Sequence, residues 1–172
     1  MFIYRLVFMF LFGSFAYMES HSVSINVLEQ NKDFVILNYT INEYHISDMF
    51  FNDEEFHKIV LDGEPDFLIQ GSPKLPHVNR SLIIPDNKSS RIEIIDYEDV
   101  LIDNINVIPS KGNITRNIDI NSIPYEKGFI YDKNAFFPAN LAELHNPYIL
   151  RDFRGQVVQF NPFQFNPVTH EL

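Results

Sequence analysis

Most of the chain's chemical potential lies in one short stretch, Pro109-Ser-Lys-Gly-Asn-Ile-Thr-Arg116, where Lys111 and Arg116 flank Gly112 and Thr115. These side chains offer hydrogen-bond donors and positive charge, with no nucleophile or general base spaced to use them. The chemistry open to such a tip is charge-assisted hydrogen bonding to an acidic group. A basic, glycine-containing loop between apolar strands therefore suits a presented or inserted segment better than a catalytic centre. A second basic group, Arg151 and Arg154 on either side of Asp152-Phe153, suggests a scaffold ion-pair cluster around Asp152. Gly112 and Gly155 are expected to meet backbone needs.

Other constellations are weaker. The histidines His21, His45, His57, His77, His145 and His170 show no metal-ligand spacing, so no metal site is predicted and surface or turn positions are expected. Asp53-Glu54-Glu55 and Tyr97-Glu98-Asp99 lack the alternating oxygen ligands and central glycine of a calcium loop and read as solvated loops. The chain has no cysteine, which excludes a thiol nucleophile, disulfides, zinc-thiolate sites and iron-sulfur clusters. Neither a Gly-x-Ser-x-Gly elbow nor a phosphate-cradling glycine loop occurs, so an enzyme in its own right has no support and no cofactor is implied. Asn38, Asn79, Asn87 and Asn113 begin N-glycosylation patterns, which matter only in a host that uses them. A net charge of -10 with scattered basic residues lacks the footprint of a nucleic-acid binder, and the acidic surface reads as a solubility device.

The elements that must position these residues read as short strands. At 172 residues, 45% hydrophobic and 15% aromatic, the chain suits one domain with a real core. Arg5, the apolar run Leu6–Phe12 and the small residues Ser14 and Ala16 read as an export signal over residues 1–16, cut after Ala16, with a buried N-terminal strand as the alternative. The run is too short for a stable membrane span, and residues 17–172 are then the mature domain. Phe34–Ile41 alternates with Val35, Leu37, Tyr39 and Ile41 on one face. Residues 44–61 fit a short helix or two strands separated at Asn52-Asp53, and the punctuation at Asp62-Gly63 and Glu64-Pro65 favours strands. Gly71–Pro76 reads as a rigid connector, a turn or an edge approach. Arg80–Pro85 and Arg91–Ile95 read as strands joined at Asp86-Asn87-Lys88, Val100–Ile108 continues the pattern, and Val157–Phe160 is a further strand. No helical period persists over twelve residues. The expected fold is an all-β sandwich or barrel.

A series of ordered motifs narrows this. Val60-x-Asp-Gly63, Gly71-x-Pro-x-Leu-Pro76, the strand ending at Pro85, Pro109–Arg116, Ile123-Pro-Tyr125, Phe136-Phe-Pro138, Ile149-Leu-Arg-Asp-x-Arg-Gly-Gln-Val-Val158 and Gln164-x-Asn-Pro-Val168 together resemble the N-terminal propeptide of gingipain-type cysteine proteases. The resemblance runs from Val60 to Leu172, and residues 17–59 match only in strand character. It implies an antiparallel, jelly-roll-like β-sandwich prodomain that masks the cleft of a cognate caspase-fold cysteine protease outside the cell and is later cut away. In arginine-specific members an arginine on the loop after Pro-Ser-Lys-Gly enters the primary specificity pocket. Arg116 is the matching residue, and Lys111 would substitute for a lysine-preferring enzyme. The family continues past the position of Leu172 with further strands and then the protease domain, so this chain is expected to lack the last strands and the catalytic domain. The alternative is an extracellular β-sandwich binding or adhesion module that kept the fold without a protease partner.

Overall fold

In the computed structural model, which describes residues 22–172, three antiparallel sheets surround a shared core. Strands β1 (Val23–Gln30) and β2 (Val35–Ile41) form the first hairpin, with a bulge between Val27 and Glu29. Along β2 the side chains of Leu37, Tyr39 and Ile41 are half-buried while Asn38 and Thr40 face solvent, the period of two that a one-sided strand requires. Strands β3 (His45–Phe51) and β4 (Glu54–Val60) form the second hairpin. Its two turn residues, Asn52 and Asp53, have φ of 51° and 61°, the left-handed pair that matches hairpin twist and that short polar side chains tolerate. In the third sheet β8 (Phe153–Phe160) is central. Strand β5 (Val78–Ile83) pairs with one edge of β8, and β6 (Ala142–Leu144) and β7 (Tyr148–Leu150) also pair with it. Two 3-10 turns, Ile120–Ser122 and Phe129–Asp132, complete the assignment, and the described residues contain no α-helix.

The layers of this antiparallel β-sandwich meet across Val23, Ile59, Leu61, Leu75, Val78, Ile105, Val107, Phe163, Phe165 and Leu172. Burial of each such side chain contributes about 1.5–3 kcal/mol. Tyr39 of β2 lies on Phe160 of β8, ring centroids 4.9 Å apart, and ties the first hairpin to the third sheet. Glu64 accepts both Arg80 Nη1, at 3.1 Å, and Nη2, at 2.5 Å, an arginine fork that fixes the approach to β5.

Two proline-containing segments are interior despite lacking regular ladders. Residues 105–110 run parallel beside β4, with His57 N–H on Asn106 O and Ile108 N–H on His57 O at 3.0 Å. On their other side Lys74 N–H reaches Ile108 O and Ser110 N–H reaches Ser72 O. Gly71–Pro76 starts in a turn, with Ser72 N–H on Ile69 O at 3.1 Å, but beyond it the segment is held between residues 105–110 and Asp66-Phe67 and is not the edge approach expected. Pro73 and Pro109 face each other as a non-hydrogen-bonded bridge pair, so the N–H that each lacks would point away from the other segment, and the flanking bonds of Lys74 and Ser110 are both made.

Other expectations are corrected. Arg91–Ile95 forms no strand, and residues 89–101 are exposed and have no regular structure or ladder partners. Beyond them Ile102 and Leu172 exchange both backbone hydrogen bonds at 2.9 Å, while Val100–Ile108 as a whole is not a strand. The cluster expected of Arg151, Asp152 and Arg154 is not formed. Arg151, with φ of 55°, and Asp152 make the β7–β8 turn, whereas Arg154 Nη1 donates to the carbonyls of Pro85, Asp86 and Lys88. Carbonyl oxygens of the facing turn take up the guanidinium, leaving no ion pair with Asp152. Two histidines are less exposed than expected: His57 Nδ1 accepts from Asn106 N–H, and His77 stacks on Phe67 at 4.6 Å. The export signal read over residues 1–16 lies outside the described residues.

Candidate functional site

Residues 111–127 form an excursion whose two stems meet at one residue, and Tyr125 on Phe51 and Lys127 on Glu54 and Phe56 also touch the β3–β4 hairpin. Gly71 N–H donates to Ser110 O at 2.9 Å, and Gly71 O accepts Gly128 N–H at 2.9 Å, so one residue ties both stems. The arrangement needs two glycines. Gly71 has φ of 75°, and a Cβ on Gly128 would stand 2.9 Å from Gly71 O. Gly112, with φ of 81°, turns the outgoing stem against Gln70.

Within the excursion, local hydrogen bonds replace a core. Asp119 Oδ1 caps the first 3-10 turn by accepting Asn121 N–H at 2.9 Å. Lys111 Nζ donates to Ile120 O at 2.8 Å and lies 4.2 Å from the centre of the Tyr125 ring, a cation–π contact. Tyr125 in turn meets Phe51 of β3 edge-on at 5.4 Å. Met49, Phe51, Lys111 and residues 121–125 line an open groove beside the loop.

Arg116 occupies the outer turn. Ile118 N–H donates to Thr115 O at 3.1 Å, and Thr115 Oγ1 and Asn117 Oδ1 are 2.6 Å apart in a hydrogen bond. Arg116 is exposed and makes no hydrogen bond or ion pair among the described residues. The two candidate basic residues are therefore unequal: the Lys111 ammonium is held inside the loop, whereas the Arg116 guanidinium is free. Thr115, Arg116 and Asn117 share the tip, and Lys111 and Gly112 belong to the stem. Arg151, Asp152 and Arg154 lie with the β7–β8 hairpin and do not join this loop. Gly71, Tyr125 and Asn117 were not singled out as site residues from sequence. Gly71 and Tyr125 fall within quoted motifs, but the contacts that give them a role are with residues far along the chain.

A family model, Propeptide_C25, matches residues 18–172. The chain belongs to the Propeptide_C25 family. The match includes the region before Val60 where the sequence alone showed only strand character. Among curated relatives, gingipain R1 of Porphyromonas gingivalis is 46% identical over 103 residues, which cover 60% of this chain and 10% of that protein. Gingipain R2 of the same species, strain W83, is 41% identical over 103 residues, covering 14% of its length. This Propeptide_C25 chain thus matches only a small part of those proteins. Its fold superposes on a solved complex of Porphyromonas gingivalis RgpB pro- and mature domains with a TM-score of 0.81 and 28% identity, over 86% of this chain and 77% of that one. A structure addressing zymogenic latency of gingipain K from the same species aligns with a TM-score of 0.70 over 90% of this chain and 88% of that one; at 13% identity it shows the fold alone. Membership in a propeptide family and the absence of cysteine agree in giving this chain no thiol catalysis of its own.

Proposed function

We propose that the chain is an exported inhibitory and chaperoning prodomain, the N-terminal part of a longer precursor, which keeps a gingipain-like cysteine endopeptidase latent by presenting Arg116 to its active-site cleft. The observation that carries this reading is the unequal state of the two basic residues. Arg116 stands unpaired at the tip of a loop tied to the core at its base, while Lys111 is engaged in holding that loop. A guanidinium presented this way can form a bidentate pair with a carboxylate at the floor of a pocket. The turn limits the ordering entropy lost on docking. The relatives support the partner class, since one similar structure is a complex of pro- and mature domains.

Purified chain added to an arginine-specific cysteine endopeptidase of this family inhibits at micromolar concentration or below. Arg116→Ala raises Ki at least about thirtyfold, since truncating one partner of a desolvated charge pair costs roughly 2–5 kcal/mol. Lys111→Ala weakens inhibition less, through the loop it supports. No inhibition by the unaltered chain, or equal inhibition by Arg116→Ala, rejects the reading.

A further inference from the structure

The backbone that ties the Arg116 loop is itself part of a fold-back. Residues 65–77 double over antiparallel, with Phe67 N–H on Leu75 O and His77 N–H on Pro65 O, both at 2.9 Å, and Gly71 lies in the turn between the two arms. A ring contact closes the arms. His77 stacks on Phe67 with centroids 4.6 Å apart, and Phe67 meets Phe137 edge-on at 5.5 Å. Phe67 O also accepts the Ser110 hydroxyl at 3.0 Å, and Ser110 O accepts Gly71 N–H. The His77–Phe67 contact therefore stands two hydrogen bonds from the point where both loop stems meet.

His77 is poorly placed to carry a proton. Its Nδ1 is shut off from solvent and has no hydrogen-bond partner among the described residues, whereas both nitrogens of an imidazolium are donors. The titratable groups around it are Glu64 and Asp66 from the first arm, Glu143 of β6, and His145 just beyond β6. Lys74 pairs with Asp66 at 3.3 Å and Arg80 with Glu64, so two of the three carboxylates are already engaged. Burial outweighs their attraction and pushes the His77 pKa down.

We propose that His77 is an acid-sensitive clamp on the base of the Arg116 loop: protonation drives its ring off Phe67 into water, the fold-back slackens at Gly71, and the chain leaves its protease faster. The inference rests on the reading of Arg116 given above, and His77 acts as a positioning residue. In water the ring titrates near the ordinary 6.5, and while clamped it titrates lower. A proton thus binds the open form more tightly and shifts the population toward it. The effect is absent above about pH 6.5 and grows down to the lower pKa of the clamped ring.

Amide exchange at pH 7.5 and pH 5.5, corrected for the intrinsic rate, reads the clamp without a protease. Protection at Gly71 and Gly128, whose N–H groups make the tie, is expected to fall about three- to tenfold at the lower pH. His77→Phe and His77→Tyr, which cannot take this proton, should show none of that fall. Three results overturn the clamp: no fall in the unaltered chain, an equal fall in the variants, or protection at Gly71 equal to that of β8, since the tie then opens only with the whole fold. Between the same two pH values, the dissociation rate from an arginine-specific cysteine endopeptidase should rise about three- to tenfold more for the unaltered chain than for His77→Phe. Comparing the two chains removes the titration of the enzyme. An equal rise in both overturns the link to the protease. If the unaltered chain forms no complex, the reading of Arg116 falls by itself, and amide exchange still decides the clamp.

Discussion

Lys111 and Arg116 differ by five positions and by everything around them. One is held by a carbonyl and an aromatic face, and the other is unpartnered, a difference that spacing alone does not reveal because Ile120 and Tyr125 must first fold back over the loop. His77 makes the same point in the core. Burial lowers its pKa from the ordinary 6.5, against the opposing pull of Asp66, Glu64 and Glu143 and with help from His145. Its Nδ1 has no hydrogen-bond partner among the described residues. As pH falls below 6.5 the unfolded chain binds a proton on this ring more readily than the folded chain does. Stability is therefore lost from about pH 6.5 down to the lower folded pKa and is unaffected by this group above that window. Urea denaturation at pH 7 and pH 5 should show a smaller acid-induced loss in His77→Phe than in the unaltered chain. An equal loss would remove His77 as the cause.

At the scale of elements, the most exacting contact is the meeting of Gly71 with Gly128. A side chain at position 71 meets both a left-handed φ and Gly128 backbone atoms at 3.0 Å. Gly71→Ala is expected to cost about 1–3 kcal/mol. It should also raise Ki for the protease by more than it lowers the thermal midpoint would explain, and thermal unfolding alongside inhibition separates the two. The β3–β4 hairpin was legible because Asn52-Asp53 is a turn signal between apolar runs, and β2 and the end of β8 because their residues suit strands. Arg91–Ile95 misled because β-branched residues report strand preference, whereas a strand also needs a neighbour to pair with. Gly71–Pro76 misled in the opposite direction: prolines suggested an edge, yet both sides are covered. The Propeptide_C25 motifs located the Arg116 loop, but its tie to Gly71 joins residues 39 or more positions apart and left no local signal.

Taken whole, the molecule combines a net charge of -10 with an unusually apolar exposed segment. Between residues 91 and 101, Ile95 and Val100 are 73% and 81% exposed, and Ile92, Ile94, Tyr97 and Leu101 are exposed beside them. Exposed apolar residues on backbone without a ladder partner invite intermolecular pairing, and Glu93, Asp96, Glu98 and Asp99 are the charges that oppose it. Amide hydrogens over residues 93–100 should exchange much faster than those of β8. Light scattering should rise as pH approaches the isoelectric point near 4.9, and less so in a double variant Ile95→Lys, Val100→Lys. Scattering that does not depend on pH, or is unchanged by the lysines, would place the association elsewhere. The tie at Gly71 has a consequence of another kind. A loop whose two ends meet at one backbone position can change its tip with little effect on the β-sheets, so substitutions there need no matching change in the scaffold.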